Sequence, residues 1–164
     1  MTRTGIGWDS HRLEAGRRLV LGGVEVPGAE SGLAGYSDAD VLTHALIDAL
    51  LGAAGLGDIG QHFPDTDPRW RDADSVELLS SVLELLSEAG FTLVNLDATV
   101  ACEEPKLAPH RDAMRSRLAE AMGLDRSDVS VKFTTGERMG FIGRGEGIAA
   151  LAVATLSDDT ERDR

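Results

Sequence analysis

The segment SDADVLTHALIDALLG, residues 37–52, is the part of the sequence around which the fold is organised. Apolar side chains occupy nearly every side of the helix that it predicts, which indicates a helix buried in the core. The exception is His44, which lies four residues after Asp40 and four before Asp48 and so shares one stripe with them. Because burying an unpartnered polar group costs free energy, either an aspartate of this stripe satisfies His44 or the histidine has a functional role.

The segments on either side of this helix alternate between strand-like and helical patterns. We predict a first strand TGIGWDSH, a hairpin at Gly22 and Gly23, helices over 37–54, 74–88 and 107–123, and strands FTLVNLDATVA, VSVKF and GIAALAVATL. Ser37 is the predicted N-cap of the first helix, and Val94 is predicted to lie on one side of its strand with Leu96, Ala98 and Val100. This order predicts an α/β (α+β) single-domain sandwich over residues 1–157, with helices on one face of a mixed β-sheet. Residues 158–164 are expected to form a disordered acidic tail.

The composition excludes several classes of protein. The 164 residues carry a formal net charge of -12, which argues against a nucleic-acid binder with a basic surface. No apolar run approaches the roughly 20 residues of a membrane span, and the N-terminus lacks the apolar core of a secretory signal. The single cysteine, Cys102, fits a reducing compartment. We therefore expect a cytoplasmic protein with no nucleic-acid or membrane partner.

A candidate metal site combines the first strand with the buried helix. Asp9 and His11 are two residues apart in the strand and project from the same face. With His44 they make three ligands for a cation such as zinc, leaving the fourth position open as in catalytic sites. Asp48 would orient the imidazole of His44 from behind. The alternative is a strand-end ion pair beside an ordinary core histidine.

Two glycine-containing segments are candidates for binding a phosphorylated ligand. The loop AGLGDIGQHFPDTDP combines small residues with carboxylates that can accept hydrogen bonds from hydroxyl groups. The segment VKFTTGERMGFIGRGEG offers donors from Thr134 and Thr135 and Glu137 as a ligand for magnesium. Its positive charge comes from Lys132, Arg138 and Arg144. The alternatives are a surface loop and a glycine-rich hairpin. The P-loop spacing is absent.

Taken together, these segments closely resemble the 2-C-methyl-D-erythritol 2,4-cyclodiphosphate synthase family of the non-mevalonate isoprenoid pathway. The resemblance covers nearly the whole chain. The matching motifs are GIGWDSH, SDADVLTHALIDALLGAAGLGDIGQHFPDTDP, NLDATV, PKLAPH, VKFTTGE and GFIGRGEGIAA, in the same order.

The resemblance implies a phosphorus–oxygen lyase that converts 4-diphosphocytidyl-2-C-methyl-D-erythritol 2-phosphate to the 2,4-cyclodiphosphate and CMP. It implies a homotrimer with active sites between subunits, zinc held by Asp9, His11 and His44, and magnesium or manganese held by Glu137 on the substrate diphosphate. Tyr36 and Thr135 would be catalytic. The residues implied to contact substrate are Asp9, His11, Tyr36, Ser37, Asp58, Ile59, Gly60, Phe63, Asp65, Pro105, Lys106, Thr134, Thr135, Gly136, Glu137, Phe141 and Arg144.

Two positions depart from the family pattern. Tyr36 stands where the family usually has a histidine, so this position can donate a hydrogen bond but has no cationic form. Gly136 stands where the family usually has threonine, which removes a hydroxyl and keeps the backbone amide. Two other functions use the same residues: a metal-dependent hydrolase that activates water, and a trimeric module that binds a nucleotide without turnover.

Overall fold

The computed structural model describes residues 1–158 of the chain, and residues 159–164 of the expected tail lie outside the described residues. The strands are β1 (Thr2–Ala15), β2 (Val20–Leu21), β3 (Val24–Glu25), β4 (Ser31–Leu33), β5 (Phe91–Ala101), β6 (Val129–Thr134) and β7 (Gly147–Asp158). The α-helices are α1 (Val41–Ala54), α2 (Ile59–His62), α3 (Ser75–Glu88), α4 (Arg111–Met122) and α5 (Gly140–Gly143). Single 3₁₀ turns cover Pro68–Trp70, Ala108–His110 and Arg126–Asp128.

Five strands form one mixed sheet in the order β4-β1-β7-β5-β6, and β2 and β3 form a separate hairpin. The β5–β6 pair is parallel, and the β1–β4, β1–β7 and β5–β7 pairs are antiparallel. Helix α1 packs on β1 and β7, α3 packs beside α1, and α4 packs against α3 and β6. The predicted α/β sandwich, with helices on one face of a mixed sheet, is confirmed.

Two glycines of β1 let α1 lie directly on the strand. A Cβ atom added at Gly7 would lie 2.0 Å from the carbonyl oxygen of Ala45, and one added at Gly5 would lie 2.1 Å from that of Ala49. Both obstacles are helix backbone, which cannot move aside as a side chain can. We call this contact the glycine seam. It brings the backbone of α1 close to the strand that carries Asp9 and His11.

Replacing Gly7 by alanine is therefore expected to destabilise the protein by about 2–3 kcal/mol, because the added methyl group forces α1 away from β1. Urea unfolding of purified protein measures the change. The matched control is Gly52→Ala, on the helix side of the same contact, where the nearest atom, the carbonyl oxygen of Ile6, is 3.9 Å away. Helix propensity predicts equal or slightly higher stability for that control. Equal stability of the two variants would contradict the seam.

Helix α1 begins four residues later than the sequence indicated. Its N-cap is Asp40, whose carboxylate accepts from the amide of Thr43, so the prediction of Ser37 as N-cap is wrong. Asp40 is completely buried and also accepts from the amides of Gly22 and Gly23 and from the Thr43 hydroxyl. One carboxylate therefore joins the start of α1 to the tip of the β2–β3 hairpin.

Three further elements differ from expectation. Val94 is 44% exposed, because the register of β5 against β7 shifts between Leu93 and Asn95 and turns Val94 away from the core. The predicted third helix starts as a 3₁₀ turn over Ala108–His110 before α4. The predicted loop after α1 contains the short helix α2, capped by Asp58.

The sheet face opposite the helices carries large apolar side chains in contact with solvent. Ile6 is 67% exposed, Trp8 55% and Leu151 40%, and Trp8 and Leu151 are cross-strand partners. Such a contiguous apolar row is typical of an interaction surface. Among the described residues, no helix has both the length and the apolar character needed to cross a membrane.

Candidate metal centre and active-site cavity

The three predicted metal ligands lie together at one end of the glycine seam. Asp9 and His11 are alternate residues of β1, so their side chains share a face of the strand. His44 lies in the first turn of α1, 9% exposed, and faces them across the seam. The prediction that these residues, remote in sequence, converge is confirmed by the cluster that they form.

The ligand atoms form a nearly equilateral triangle. Asp9 Oδ2 lies 2.9 Å from His11 Nε2 and 3.1 Å from His44 Nδ1, and the two ring nitrogens are 3.2 Å apart. Tetrahedral ligands bound at 2.0–2.1 Å are separated from one another by about 3.3 Å. The spacing therefore fits three ligands of one zinc-sized cation.

In each imidazole, the nitrogen that points away from the triangle has a hydrogen-bond partner, which indicates that this nitrogen carries the proton. His11 Nδ1 lies 2.7 Å from the carbonyl oxygen of Ala34, so it carries the proton and leaves Nε2 with a lone pair. His44 Nε2 lies 2.9 Å from the hydroxyl of Ser75. With its proton on Nε2, His44 also turns a lone pair towards Asp9. The carboxylate of Asp9 and the lone pairs of His11 Nε2 and His44 Nδ1 then point at one another. A cation bound among these three acceptors would stabilise the arrangement.

The local charges favour an anionic Asp9. Burial raises the pKa of the Asp9 carboxyl, but the hydrogen bonds and positive charge of His11 and His44 outweigh burial and hold the pKa well below its usual range. Burial lowers the pKa of His11, but the hydrogen bond and charge of Asp9 raise it above the usual value on balance. Because an imidazole binds a metal only in its neutral form, cation binding here competes with protonation of His11.

A cavity of about 560 Å³ opens onto this triangle. Its apolar wall includes Phe63 and Trp70, whose rings meet edge to face at 5.1 Å between centroids. The Trp70 indole N–H is buried and has no hydrogen-bond partner among residues 1–158. The cavity is lined by Asp9, His11, Gly35, Tyr36, Ser37, His44, Ile59, Gly60, Phe63, Pro64, Asp65, Thr66, Trp70 and Leu78.

Tyr36 lies at the rim of this cavity and is tied to the segment that follows Trp70. The guanidinium of Arg71 lies over the Tyr36 ring, 5.6 Å from its centroid. The carbonyl oxygen of Tyr36 accepts from the amide of Asp72, which has a left-handed φ of 56°. Tyr36 itself has no cationic form, but the Arg71 guanidinium places a positive charge over the face of the Tyr36 ring.

A second group of predicted residues occupies the loop after β6. The Thr135 hydroxyl donates to Glu137 Oε1 at 2.7 Å, and the amide of Gly136 donates to Glu103 Oε2 at 2.9 Å. Glu137 and Arg138 both have left-handed backbone, with φ of 51° and 62°. A side chain at Gly136 would collide with the backbone of Gly143, with 2.5 Å to its nitrogen, so a threonine does not fit the present loop.

The remaining predicted residues lie outside the main cavity. Asp58 caps α2 and accepts from the side chain of Gln61.

Pro105 lines a separate groove, and Lys106 pairs with Glu104. Phe141 lines a small pocket beside His11, and Arg144 forms a two-point ion pair with Glu146.

Within the chain the two groups lie at the same edge of the sheet but apart from each other. Ser10 pairs with Ala149, Ala149 with Ala101, and Ala101 with Thr134. Three strand spacings separate Ser10 from Thr134, which is about 14 Å. Among residues 1–158, neither Thr134 nor the residues Thr135, Gly136 and Glu137 that follow it line the cavity at Asp9.

The prediction for Asp48 is wrong, and the sequence analysis missed Ser75, which contacts His44, and Asp38, which contacts Ser75. Asp48 accepts from the amide of Ile59 and holds α2 on α1, while Ser75 occupies the position behind the imidazole. Ser75 in turn donates to Asp38. The only sequence signal for Ser75 was its place directly after the helix cap Asp74, which resembles an ordinary helix start.

The fold and the site define a class of protein. A family model described as the YgbB family matches residues 2–157, and the chain belongs to this family. A relative named 2-C-methyl-D-erythritol 2,4-cyclodiphosphate synthase, from Halalkalibacterium halodurans, is 56% identical over 95% of this chain and 99% of its own length. The resemblance inferred from the motifs is thus confirmed.

Other relatives are longer or carry a ligand. A bifunctional enzyme IspD/IspF of an Anaeromyxobacter species is 59% identical over 93% of this chain, which spans 39% of that relative. A solved structure of 2C-methyl-D-erythritol-2,4-cyclodiphosphate synthase in a CDP-bound form has a TM-score of 0.87 and 41% identity, covering 94% of this chain and 100% of its own.

Proposed function

We propose that this chain converts 4-diphosphocytidyl-2-C-methyl-D-erythritol 2-phosphate to the 2,4-cyclodiphosphate and CMP, and thus acts as a phosphorus–oxygen lyase of isoprenoid biosynthesis. The observation that carries the proposal is the triangle of Asp9, His11 and His44 on the wall of a cavity, in a chain whose relatives bear this enzyme's name. The CDP-bound relative supports a cytidine nucleotide as part of the substrate.

The reaction needs two anions to meet in line. An oxygen of the 2-phosphate forms a bond to the β-phosphorus, and the bond from that phosphorus to the oxygen of the leaving CMP breaks. Because the nucleophile is already an anion, no general base is needed. The protein's task is to position both groups against their repulsion, and closing a ring within one bound molecule avoids the entropy cost of an encounter.

The chain's own residues divide this task. A divalent cation, zinc in our proposal, would be held by Asp9, His11 and His44 and would neutralise phosphate oxygens. In the same cavity Ser37 and Gly60 offer a hydroxyl and an amide to the methylerythritol phosphate. The residues proposed to contact this part of the substrate are Asp9, His11, Tyr36, Ser37, Asp58, Ile59, Gly60, Phe63 and Asp65.

The diphosphate and cytidine would be bound by the second group. Thr135 would donate to the phosphate under attack, while the carboxylate of Glu137, already beside the Thr135 hydroxyl, would bind magnesium or manganese on the diphosphate. Pro105 and Lys106 would border the cytidine. Tyr36 would donate its hydroxyl to the developing charge, with Arg71 on its ring supplying the positive field.

We infer that the two groups meet across a subunit interface in a homotrimer. The separation of about 14 Å within one chain supports a site completed by a neighbour. The apolar row of Ile6, Trp8 and Leu151 on the uncovered face of the sheet supports association through that face. A second copy of the same chain would cover these side chains.

Trp8→Glu is expected to shift the trimer to monomers and to lower turnover at least about 100-fold, because a charge buried without a partner at an interface is costly. Light scattering coupled to size exclusion measures the assembly. Ser81→Glu adds the same charge on the exposed helical side and is expected to remain trimeric and active. A trimeric, fully active Trp8→Glu protein would contradict the inferred interface.

One assay tests the proposed activity. Purified protein is incubated with the nucleotide substrate, with and without a chelator, and the products are separated. We expect cyclic diphosphate and CMP, and loss of both when the metal is removed. A linear phosphate product would instead indicate a hydrolase, and tight CDP binding without turnover would indicate a non-catalytic module. Either result would overturn the proposal.

A further inference from the structure

Asp38 and Ser75 form a hydrogen-bonded chain that ends on the outer nitrogen of His44. We propose that these two residues are positioning residues, which fix the ring orientation and the tautomer of His44 for cation binding. The proposal rests on the proposed metal role of Asp9, His11 and His44. Asp38 and Ser75 do not belong to the cluster of Asp9, His11 and His44, and neither residue lines the cavity that opens onto it.

The direction of each hydrogen bond follows from the number of protons available. The Ser75 hydroxyl has one proton, which it donates to Asp38 Oδ1. Its oxygen can then only accept from His44 Nε2, 2.9 Å away. The proton of the imidazole is therefore held on Nε2, and the lone pair of Nδ1 is directed at the triangle. A carboxylate is thus linked to the metal-binding imidazole through one hydroxyl.

The hydrogen-bonded chain from Asp38 through Ser75 to His44 is held in place at both ends. Ser75 is the first residue of α3 and is 0% exposed, so its hydroxyl has no access to solvent. The Asp38 carboxylate also accepts from the amides of Asp40 and Ser75, both at 3.1 Å. These bonds join the start of α1 to the start of α3. The imidazole of His44 is therefore fixed by two helices.

Ser37 makes the weaker contact with the same nitrogen. Its hydroxyl oxygen lies 3.2 Å from His44 Nε2 and also accepts from the amide of Ala39. Unlike Ser75, it lies on the lining of the cavity, where its own proton is available to a ligand. We therefore assign the fixing of His44 to Ser75 and Asp38.

The experiment measures metal affinity by competition with a chromophoric chelator, using Zn²⁺ and the spectroscopic probe Co²⁺ on the whole chain. Ser75→Ala is expected to weaken binding about 10–100-fold and to alter the Co²⁺ absorption spectrum. Asp38→Asn is expected to weaken it in the same direction. In the Ser75→Ala background Asp38→Asn should have no further effect on affinity, because its influence passes through the hydroxyl.

Asp74→Ala provides the matched control. It removes the N-cap bond to Val76 at the same helix start, so it should lower the melting temperature without changing metal affinity. Wild-type affinity in Ser75→Ala, or equal effects of Asp38→Asn in both backgrounds, would overturn the positioning role alone. If Ser75→Ala does not fold, Asp38→Asn is compared with Asp74→Ala alone, and wild-type metal affinity in Asp38→Asn would overturn the positioning role. Absence of metal binding by the wild-type chain would overturn the proposed function itself.

Discussion

Replacing His44 by alanine is expected to lower turnover about 100- to 1,000-fold and to abolish tight binding of zinc. The loss of one of three ligands removes several kcal/mol of charge stabilisation from the phosphoryl transfer, and each 1.36 kcal/mol is a factor of ten in rate. His44 is also the only ligand of the cluster contributed by α1. Steady-state kinetics and metal analysis of the purified variant measure the two effects.

Two further variants separate a metal role from a structural one. Asp9→Asn retains the size of the side chain and removes the negative charge, so it should lose metal and turnover with little change in stability. His110→Ala removes an imidazole from the 3₁₀ turn before α4, outside the cluster, and should retain both. Wild-type rates in a trimeric, metal-free His44→Ala protein would refute the role given to the triangle.

The second large effect is expected from Asp40→Ala, which should lower the free energy of unfolding by about 4 kcal/mol or more. The substitution leaves the amides of Gly22, Gly23 and Thr43 and the Thr43 hydroxyl without their acceptor inside the core. Each buried donor left unsatisfied costs about 1–3 kcal/mol. Burial raises the pKa of Asp40 while the hydrogen bonds from Thr43 and Gly23 lower it, so the carboxyl is raised on balance.

Chemical denaturation followed by circular dichroism measures this loss. Thr43→Val is the matched comparison, because it removes only the hydroxyl donor and keeps the three amides paired, and we expect it to cost about 1 kcal/mol. Asp40→Asn should cost less than Asp40→Ala, because its one remaining oxygen can still accept from two of the four donors, while its NH2 group faces the other two. A loss of less than 1 kcal/mol in Asp40→Ala would show that these bonds are replaceable.

Much of the site could be predicted because its signals are local. The alternation of Asp9 and His11 in a strand requires only that the strand form, and His44 is conspicuous because its helix is otherwise apolar. The combination of these three residues into one site, and the α/β fold class, were predicted from the same patterns. The family resemblance then added the residues around Thr134, whose individual roles stay proposals.

What could not be predicted depends on contacts between distant segments. Ser75 lies 31 residues from His44, and its local pattern indicates only a helix start. The outward turn of Val94 depends on the register of β7 against β5, which no property of β5 alone reveals. Ser37 was a poorer N-cap than Asp40 because the hairpin supplies Asp40 with two further amides.

The glycine seam has a consequence for how the molecule opens. Because α1 and β1 touch through their backbones, neither can detach without exposing the other, so the two should behave as one foldon with matched amide hydrogen exchange. The cluster of Asp9, His11 and His44 bridges both members of that unit. A bound ion would therefore slow exchange along the entire helix and strand together, and chelation should release both at once.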